Sequence, residues 1–452
     1  MASESGLYWC ETAWLGSALA TPHVLVQVEA GAITGVLSGV ECPAKATRLA
    51  GLTLPGLANA HSHAFHRALR GRTQVGNGSF WTWREQMYGL CERLDPDSYF
   101  RLARAVYGEM AMAGITCVGE FHYLHHGAGG TPYADPNAMS AALVAAAEEA
   151  GLRITLLDAC YLHGGIGQVL NAQQRRFSDG DALAWAVRAS EAVEALSGPA
   201  VRVGAAIHSV RAVDPAGIEV VAEWAERHDA PLHAHVSEQP AENDRCIEVY
   251  GVTPTALLAE RGVLRRQFTA VHATHLAGAD IGLYGAAGST ICLCPTTERD
   301  LADGIGPAWA LRDAGAHLAL GTDSNAIVDM FEEARAVELD QRLASQVRGL
   351  HDSVSLLRAA TVQGHASLGW PEAGRIEVGA PADLVSVRMD TVRTAGASAH
   401  TLLETAVFAA GAADVHHVVA GGRVVVSDGR HCSIDVAAEL GAVIGELVEG
   451  FS

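Results

Sequence analysis

The chain reads Leu52-Thr53-Leu54-Pro55-Gly56-Leu57-Ala58-Asn59-Ala60-His61-Ser62-His63, an apolar run that ends in two histidines separated by one residue. Side chains alternate across a β-strand, so positions i and i+2 share a face, and two imidazoles there can bind one ion from the same side. A His-x-His pair also arises by chance on half-exposed strands, so this run alone does not establish a metal site. It predicts a strand over residues 52–63 and makes His61 and His63 candidate ligands.

Three later segments have the same design, an apolar run that ends near a residue able to bind metal or move a proton: His235, His272 and Asp323. The active site of a (β/α)8 barrel lies at the C-terminal ends of its parallel strands, where distant parts of the chain meet. Eight candidate strands can be counted: Leu52–His63, Ile115–Tyr123, Arg153–Tyr161, Val201–Ser209, Pro231–Glu238, Phe268–Leu276, Ser289–Thr297 and His317–Asn325.

Segments of helical character lie between these strands. Asn137–Ala150 and Asp181–Leu196 are Ala-rich examples, each followed by a break that contains glycine. Alternation of strand and helix over this length is typical of a parallel sheet. The predicted fold class is therefore α/β, with a (β/α)8 TIM barrel.

Charge and composition argue against a nucleic-acid-binding, exported, membrane or disulfide-bonded protein. The 452 residues carry a formal net charge of −20, which argues against nonspecific nucleic-acid binding, because such binding needs a basic surface. The first residues lack the basic and apolar regions of a signal peptide, and no apolar run is long enough to span a bilayer, so we expect a cytoplasmic protein without membrane contact. Nine cysteines, an odd number, predict reduced thiols rather than a disulfide framework.

The motifs at the strand ends resemble the amidohydrolase superfamily, in its mononuclear deaminase branch, over nearly the whole chain. The closer resemblance is to the formimidoylglutamate deiminase family. It rests on five segments: His61-Ser62-His63-Ala64-Phe65, Phe80-Trp81-Thr82-Trp83-Arg84, Glu120-Phe121-His122-Tyr123, His235-Val236-Ser237-Glu238-Gln239 and Cys294-Pro295-Thr296-Thr297-Glu298. One departure is His66, where many members carry Gln.

The ends of the chain resemble the small β-sandwich that flanks many amidohydrolase barrels. Val24–Val28 and Ile33–Val36 read as strands before the barrel, and Gly374–Val385 and Val415–Ser427 as strands and turns after it. We therefore expect residues 1–55 and 374–452 to form one β-sandwich from both termini, and residues 56–373 to form the barrel.

Lysine content bears on the number of metals. Lys45 is the single lysine, and it precedes the barrel. Binuclear members of the superfamily often bridge their metals with a carbamylated barrel lysine, so its absence favours one divalent ion per subunit. The resemblance implies His61, His63, His235 and Asp323 as ligands of zinc, although iron and manganese can share such ligands.

Catalytic roles also follow from the resemblance. Asp323 and His272 would orient the water and accept its proton, and Glu238 would shuttle a proton to the departing nitrogen.

The implied reaction is hydrolysis of N-formimino-L-glutamate to N-formyl-L-glutamate and ammonia, in histidine degradation. For the two carboxylates of this small-molecule substrate the resemblance points to Arg84 and Arg211, with Tyr123 and His208 nearby; whether His66 contacts it is open. Homodimers are common among relatives.

Other interpretations remain open. A zinc-dependent deaminase of a purine, pyrimidine or triazine would use the same metal site, and a barrel without catalysis could serve as a binding protein. Trp81 and Trp83 could pack a helix or cover the substrate. A further set of histidines is expected in loops or the core rather than at the metal: His122, His125, His126, His163, His233 and His275.

Overall fold

The computed structural model describes residues 5–75, 78 and 80–449 of the chain. Its strands are β1 (Gly6–Ala13), β2 (Thr21–Glu29), β3 (Ala32–Ser38), β4 (Thr47–Pro55), β5 (Leu57–Ser62), β6 (Ile115–His122), β7 (Arg153–Cys160), β8 (Val201–Ile207), β9 (Leu232–Val236), β10 (Phe268–His272), β11 (Thr290–Leu293), β12 (His317–Leu320), β13 (Leu384–Val387), β14 (Val415–Ala420), β15 (Arg423–Ser427) and β16 (Arg430–His431).

The α-helices follow the same chain order. They are α1 (Phe80–Cys91), α2 (Pro96–Met112), α3 (Ala138–Ala150), α4 (Ala182–Leu196), α5 (Pro215–Arg227), α6 (Pro240–Tyr250), α7 (Pro254–Glu260), α8 (Gly278–Ala287), α9 (Pro295–Asp300), α10 (Ala308–Asp313), α11 (Met330–Ser345), α12 (Ser353–Arg358), α13 (Gly364–Ser367), α14 (Leu402–Phe408) and α15 (Val436–Val448). Within the described ranges, no helix combines the length and the apolar composition needed to cross a bilayer.

The barrel consists of β5 to β12, which pair in chain order as one parallel sheet. Backbone hydrogen bonds close it, from Asp323 N–H to His61 O (3.0 Å) and from His63 N–H to Asp323 O (3.0 Å). Helices lie between most successive strands, so the predicted (β/α)8 barrel is confirmed. All eight strands lie within the predicted segments.

The first predicted strand is in fact two strands that belong to different sheets. β4 joins the sheet of the termini and β5 the barrel, and Gly56 separates them. A side chain at Gly56 would lie 2.1 Å from Thr116 Oγ1 and 2.7 Å from Asp383 Cβ, so only glycine fits at this crossing. The apolar pattern continues through Pro55 and Leu57 because both strands are buried, and the boundary is therefore invisible to hydrophobicity.

The second sheet is built from both termini, as expected. Its order is β16-β15-β14-β13-β4-β1-β2-β3, so β4 lies beside β13 from the other end of the chain. The two sheets are joined by a buried ion pair in which Arg153 of β7 binds both carboxylate oxygens of Asp383. Helix α15 packs on barrel helix α2, where Arg101 and Glu446 form an ion pair of 2.7 Å. The boundaries at residues 55 and 373 remain a prediction.

Candidate active site

Four side chains from three parts of the barrel meet at the C-terminal ends of its strands. They are His61, His63, His235 and Asp323, whose ligand atoms lie within 4.8 Å of one another. The Nε2 atom of His235 lies 3.2 Å from that of His61 and 3.4 Å from that of His63. Asp323 Oδ1 lies 3.3 Å from His61 Nε2 and 3.4 Å from His63 Nε2.

These separations test whether the residues fit a metal ion. A tetrahedral zinc ion with bonds of about 2.0–2.1 Å holds its ligand atoms about 3.3 Å apart. Three imidazoles and a carboxylate are a donor set of borderline hardness that suits zinc and its neighbours in the first transition row. Both the spacing and the donor set therefore fit a single divalent ion.

The surroundings of the histidines select the nitrogen that faces the ion. His63 Nδ1 lies 2.9 Å from Phe121 O and His235 Nδ1 lies 2.8 Å from His208 O, so each ring donates its Nδ1 proton to a carbonyl and keeps Nε2 free as a ligand. Burial lowers the pKa of His61 to about 3 and also lowers those of His63 and His235. The three rings are thus neutral, as metal ligation requires.

Asp323 is held in a strained conformation by the polar residues around it. Its φ is 44°, in the left-handed region that residues other than glycine rarely adopt. Burial opposes its ionisation, but His61 and His272 hold the pKa of its carboxyl well below the ordinary value. The flanking turn is fixed by Asn325, whose amide donates to Ser62 Oγ (3.2 Å) and His63 O (3.0 Å).

His272 lies beside the four ligands and between carboxylates. Its Nε2 is 3.9 Å from Asp323 Oδ2 and 3.8 Å from Glu238 Oε1, while Nδ1 is 3.4 Å from Glu298 Oε1. Burial alone would lower the pKa of His272, but these carboxylates raise it to about 10. The ring can therefore hold a proton close to the metal position.

Glu238 lies on the loop after β9 and bridges His272 to Arg211. Its Oε2 accepts a hydrogen bond from Arg211 Nη2 at 3.1 Å. Arg211 is also 3.4 Å from Glu242 Oε2, and its Nε donates to Ser209 Oγ at 3.3 Å. The ion pairs thus orient both the carboxylate next to His272 and the guanidinium itself.

A cavity of about 280 Å³ opens over this cluster. Its lining includes ten of the site residues predicted from the sequence: His63, His66, Arg84, Tyr123, His208, Arg211, His235, Glu238, His272 and Asp323. His61 is fully buried beneath them. The structure therefore brings every predicted metal, catalytic and substrate residue to one place.

The outer wall of the cavity is aromatic and carries a second guanidinium. Trp81, Trp83 and Arg84 come from α1 and line the cavity, so the tryptophans do more than pack a helix. Arg84 lies 4.7 Å above the Trp81 ring. Trp83 packs edge-to-face on His66, with ring centres 4.9 Å apart, and His66 Nε2 lies 3.1 Å from the Tyr123 hydroxyl. Helix α1 therefore forms this outer wall. Part of the loop that precedes α1 lies outside the described residues.

The histidines expected elsewhere in the fold are absent from the four-ligand cluster. His125, His233 and His275 each bond to a backbone carbonyl, of Ala159, Ser367 and Asp303 respectively. The other three are His122, buried in the core, His126, paired with Asp179 at 3.1 Å, and His163, half-exposed beside Asp214. Lys45 is exposed and lies outside the barrel.

Three supporting carboxylates were not assigned a role by sequence. Glu298 holds His272 and also accepts from Cys294 N–H (2.9 Å), and Glu242 anchors Arg211. Glu120 accepts from Ala64 N–H at 2.7 Å and fixes the turn after His63. Glu120 and Glu298 belong to the motifs that carry the resemblance, which is the signal that could have singled them out. Glu242 follows Glu238 by four residues and lies in the first turn of α6.

Comparisons with known proteins agree with this arrangement. The model of the Amidohydrolase family matches residues 52–425. Formimidoylglutamate deiminase of Pseudomonas aeruginosa is 38% identical over 92% of this chain and 94% of its own length. A crystal structure of an amidohydrolase from Brucella melitensis has a TM-score of 0.90 with 32% identity, covering 98% of this chain and 100% of that one. An adenosine deaminase from Xanthomonas campestris with bound zinc has a TM-score of 0.84 with 26% identity, covering 98% of each chain.

Proposed function

This chain belongs to the amidohydrolase family, and from that premise we propose that it is a metal-dependent deiminase that hydrolyses N-formimino-L-glutamate to N-formyl-L-glutamate and ammonia. One observation carries the proposal. Three histidines and Asp323, spaced to hold one divalent ion, face a cavity that is also lined by Glu238, His272 and the two guanidinium groups of Arg84 and Arg211. Hydrolytic chemistry and recognition of a dicarboxylate are thereby combined in one site.

The four clustered side chains would hold the metal. We propose that His61, His63, His235 and Asp323 would bind zinc, which when present would make an activated water available at neutral pH. The chain's own contribution is to hold the four ligand atoms at the spacing described and to leave the open side toward the cavity. The alternatives iron and manganese are distinguished by metal analysis of the purified protein.

Proton transfer falls to the residues beside the ligands. Asp323 Oδ2 orients the attacking water and accepts its proton, while His272, which holds a proton between its carboxylate neighbours, orients the oxygen of that water by donating from Nε2; both residues line the cavity. Glu238, 3.8 Å from His272, carries a proton to the amidine nitrogen. Water adds to the formimino carbon, the bond from that carbon to the terminal nitrogen breaks, and the nitrogen departs as ammonia while the carbon keeps the oxygen as a formyl group.

Recognition of the substrate is proposed to rest on the arginines. N-formimino-L-glutamate carries two carboxylates, and a guanidinium binds a carboxylate through two parallel hydrogen bonds. Arg84 reaches the cavity from α1 and Arg211 from the loop after β8. Tyr123, His208 and His66 line the wall between them and would supply further hydrogen bonds. Arg211 has a second task, because it also holds Glu238.

The primary test measures both possible nitrogen products. Metal-loaded protein incubated with N-formimino-L-glutamate should release ammonia in stoichiometric amount and no formamide. Glu238→Gln should lower kcat by about 10²–10⁴-fold while keeping the metal, because it removes a proton carrier and not a ligand. Glu248→Gln, which removes an exposed carboxylate from α6, is the matched control and should leave kcat unchanged. Release of formamide, or no turnover by protein with one bound ion, would reject the proposed substrate.

A second enzymatic candidate is a deaminase of an amino-heterocycle. It is favoured by the aromatic wall of the cavity, formed by Trp81, Trp83, Tyr123, Tyr161 and Phe177, and by the zinc-bound adenosine deaminase of similar fold. Arg84→Ala separates the two, since a heterocycle without carboxylates loses little when this guanidinium is removed. For N-formimino-L-glutamate we expect KM to rise by about 10–10²-fold, the loss of one charged hydrogen-bonded pair.

Arg211→Ala is less informative on its own. It removes a proposed carboxylate contact and also releases Glu238, so both KM and kcat should change. A barrel that only binds ligands is the non-enzymatic alternative. Metal analysis that finds no ion in protein purified without chelator would favour it.

We further propose that the enzyme acts in the cytosol, as a homodimer, in histidine degradation. All nine cysteines, which lie in the described part of the chain, are unpaired, which suits a reducing compartment. Light scattering of the purified protein tests the dimer, and a fall in histidine-dependent growth after loss of the gene tests the pathway.

A further inference from the structure

A second group of metal-binding side chains lies on the sheet of the termini, outside the barrel. His416 and His417 of β14 and Asp428 of the turn between β15 and β16 each offer a ligand atom, and these atoms lie within 4.8 Å of one another. His416 Nε2 is 3.2 Å from Asp428 Oδ1. The two imidazole rings have their centres 4.4 Å apart. We propose that this group binds a second divalent transition-metal ion.

Neighbouring residues of a strand normally point to opposite faces, so two adjacent histidines cannot usually serve one ion. Here the strand is irregular. The pairing of β13 with β14 shifts between Ser386↔His417 and Val387↔Val415, which leaves His416 as an extra residue. Such a bulge rotates the strand locally and redirects a side chain. The irregularity accounts for the approach of the two rings.

The turn that carries Asp428 is held in place by the backbone. Asp428 and Gly429 have φ values of 52° and 70°, as in the tight turns that Asp-Gly favours. Gly429 N–H donates to His416 O at 2.9 Å and so fastens this turn to β14. The backbone that carries Asp428 is therefore fixed beside β14 before any ion arrives, which lowers the ordering entropy lost on binding.

The chemistry of the three groups selects the class of ion. Two imidazoles and one carboxylate prefer Zn²⁺, Ni²⁺ or Cu²⁺ over the oxygen-seeking Ca²⁺ and Mg²⁺. Burial lowers the pKa of His417. Asp428 is exposed, so an ion bound here would complete its coordination with solvent. The net charge of −20 attracts cations to the surface as a whole.

An ion at this position would join β14 to the turn that follows β15. The two sites would then differ in exchange rate. The barrel site is buried, whereas Asp428 and the edge of His416 are open to solvent. The second ion should therefore leave quickly on brief exposure to a chelator, while the barrel ion leaves slowly.

The test is metal stoichiometry in protein prepared without a polyhistidine tag. After chelation and equilibrium dialysis against micromolar free Zn²⁺, elemental analysis should find two ions per wild-type chain. It should find one in His416→Ala and in His417→Ala. His400→Ala, which removes an exposed histidine outside both groups, is the control and should keep two. Circular dichroism checks that each variant is folded.

The outcomes separate this proposal from the one for the barrel. The second site would be rejected if the wild type and both histidine variants each bind two ions. It would also be rejected if the wild type binds one ion and both histidine variants keep that ion. One ion in the wild type that disappears in His416→Ala would support the second site and count against the barrel site. In protein whose barrel site is already filled, a further rise in the thermal unfolding temperature on adding Zn²⁺ that is absent in Asp428→Asn would show that the second ion ties the turn to β14.

Discussion

At the scale of single residues, the site shows which roles a sequence can predict. His61 and His63 were predictable because a strand period of two places them on one face. Their pairing with His235 and Asp323 needed the barrel, which gathers strand ends from distant parts of the chain. Glu298 could not be given a role from spacing, because its contact with His272 depends on the turn of α9 behind β11. Its contact is set by tertiary packing, so the motif that contains Glu298 could single out the residue but not its role.

Glu298 provides a test at this scale. Glu298→Gln should lower kcat by about 10–10²-fold, the cost of losing the partner that orients the proposed catalytic side chain of His272, with metal content unchanged. The carboxylate stabilises a protonated His272 through Nδ1, and an amide does so much less. Asp300→Asn, at the end of the same helix and exposed, is the control. An unchanged kcat would show that His272 does not need this carboxylate.

At the scale of elements, the first predicted strand shows where hydrophobic pattern fails. Residues 52–63 form one apolar run, yet the structure divides them between two sheets at Gly56. The other seven strands were predicted within their segments because each is separated from the next by a helix or a polar loop. Helix α4 begins after Asp181, whose side chain accepts hydrogen bonds from the amides of Leu183 and Ala184. Such an N-cap residue can be recognised in the sequence.

Gly56→Ala tests this division. The added methyl would clash with Thr116 and Asp383, and we expect a loss of about 1–3 kcal/mol in the free energy of unfolding, the usual cost of overpacking. Gly441→Ala, in an exposed turn of α15 with nothing within 4 Å of the new methyl, should instead stabilise the protein by about 0.5–1 kcal/mol. Denaturant unfolding measures both. Equal effects at the two positions would contradict the close approach at Gly56.

At the scale of the whole molecule, one buried ion pair joins the barrel to the sheet of the termini. Arg153 binds both oxygens of Asp383, and Asp383 also accepts from Gly421 N–H at 2.8 Å. Breaking a buried pair leaves an uncompensated charge and costs about 3–5 kcal/mol, so Asp383→Asn should destabilise the protein strongly. Asp390→Asn, at an exposed pair with Arg388, should have little effect in the same thermal unfolding experiment.

The same pair predicts a dependence of stability on pH. Burial opposes ionisation of Asp383, but Arg153 holds its pKa below the ordinary value of 3.8. The folded state therefore binds fewer protons than the unfolded state, so this stabilisation is present above about pH 4 and is lost as the pH falls below it. Wild-type stability should decline below pH 4, and Asp383→Asn should show a shallower decline. Parallel profiles would show that the pair does not set the acid limit.

Because Asp323 closes the barrel, the order of synthesis determines when the metal site can form. A chain synthesised from its N-terminus releases His61, His63 and His235 long before Asp323, and β4 long before its neighbour β13. Until residue 323 has emerged, the histidines lack their carboxylate and β5 lacks the backbone partner that completes the ring of strands. Capture of the proposed metal would thereby be deferred until residue 323 of 452 has emerged, and a product terminated before that residue would carry an incomplete set of ligands.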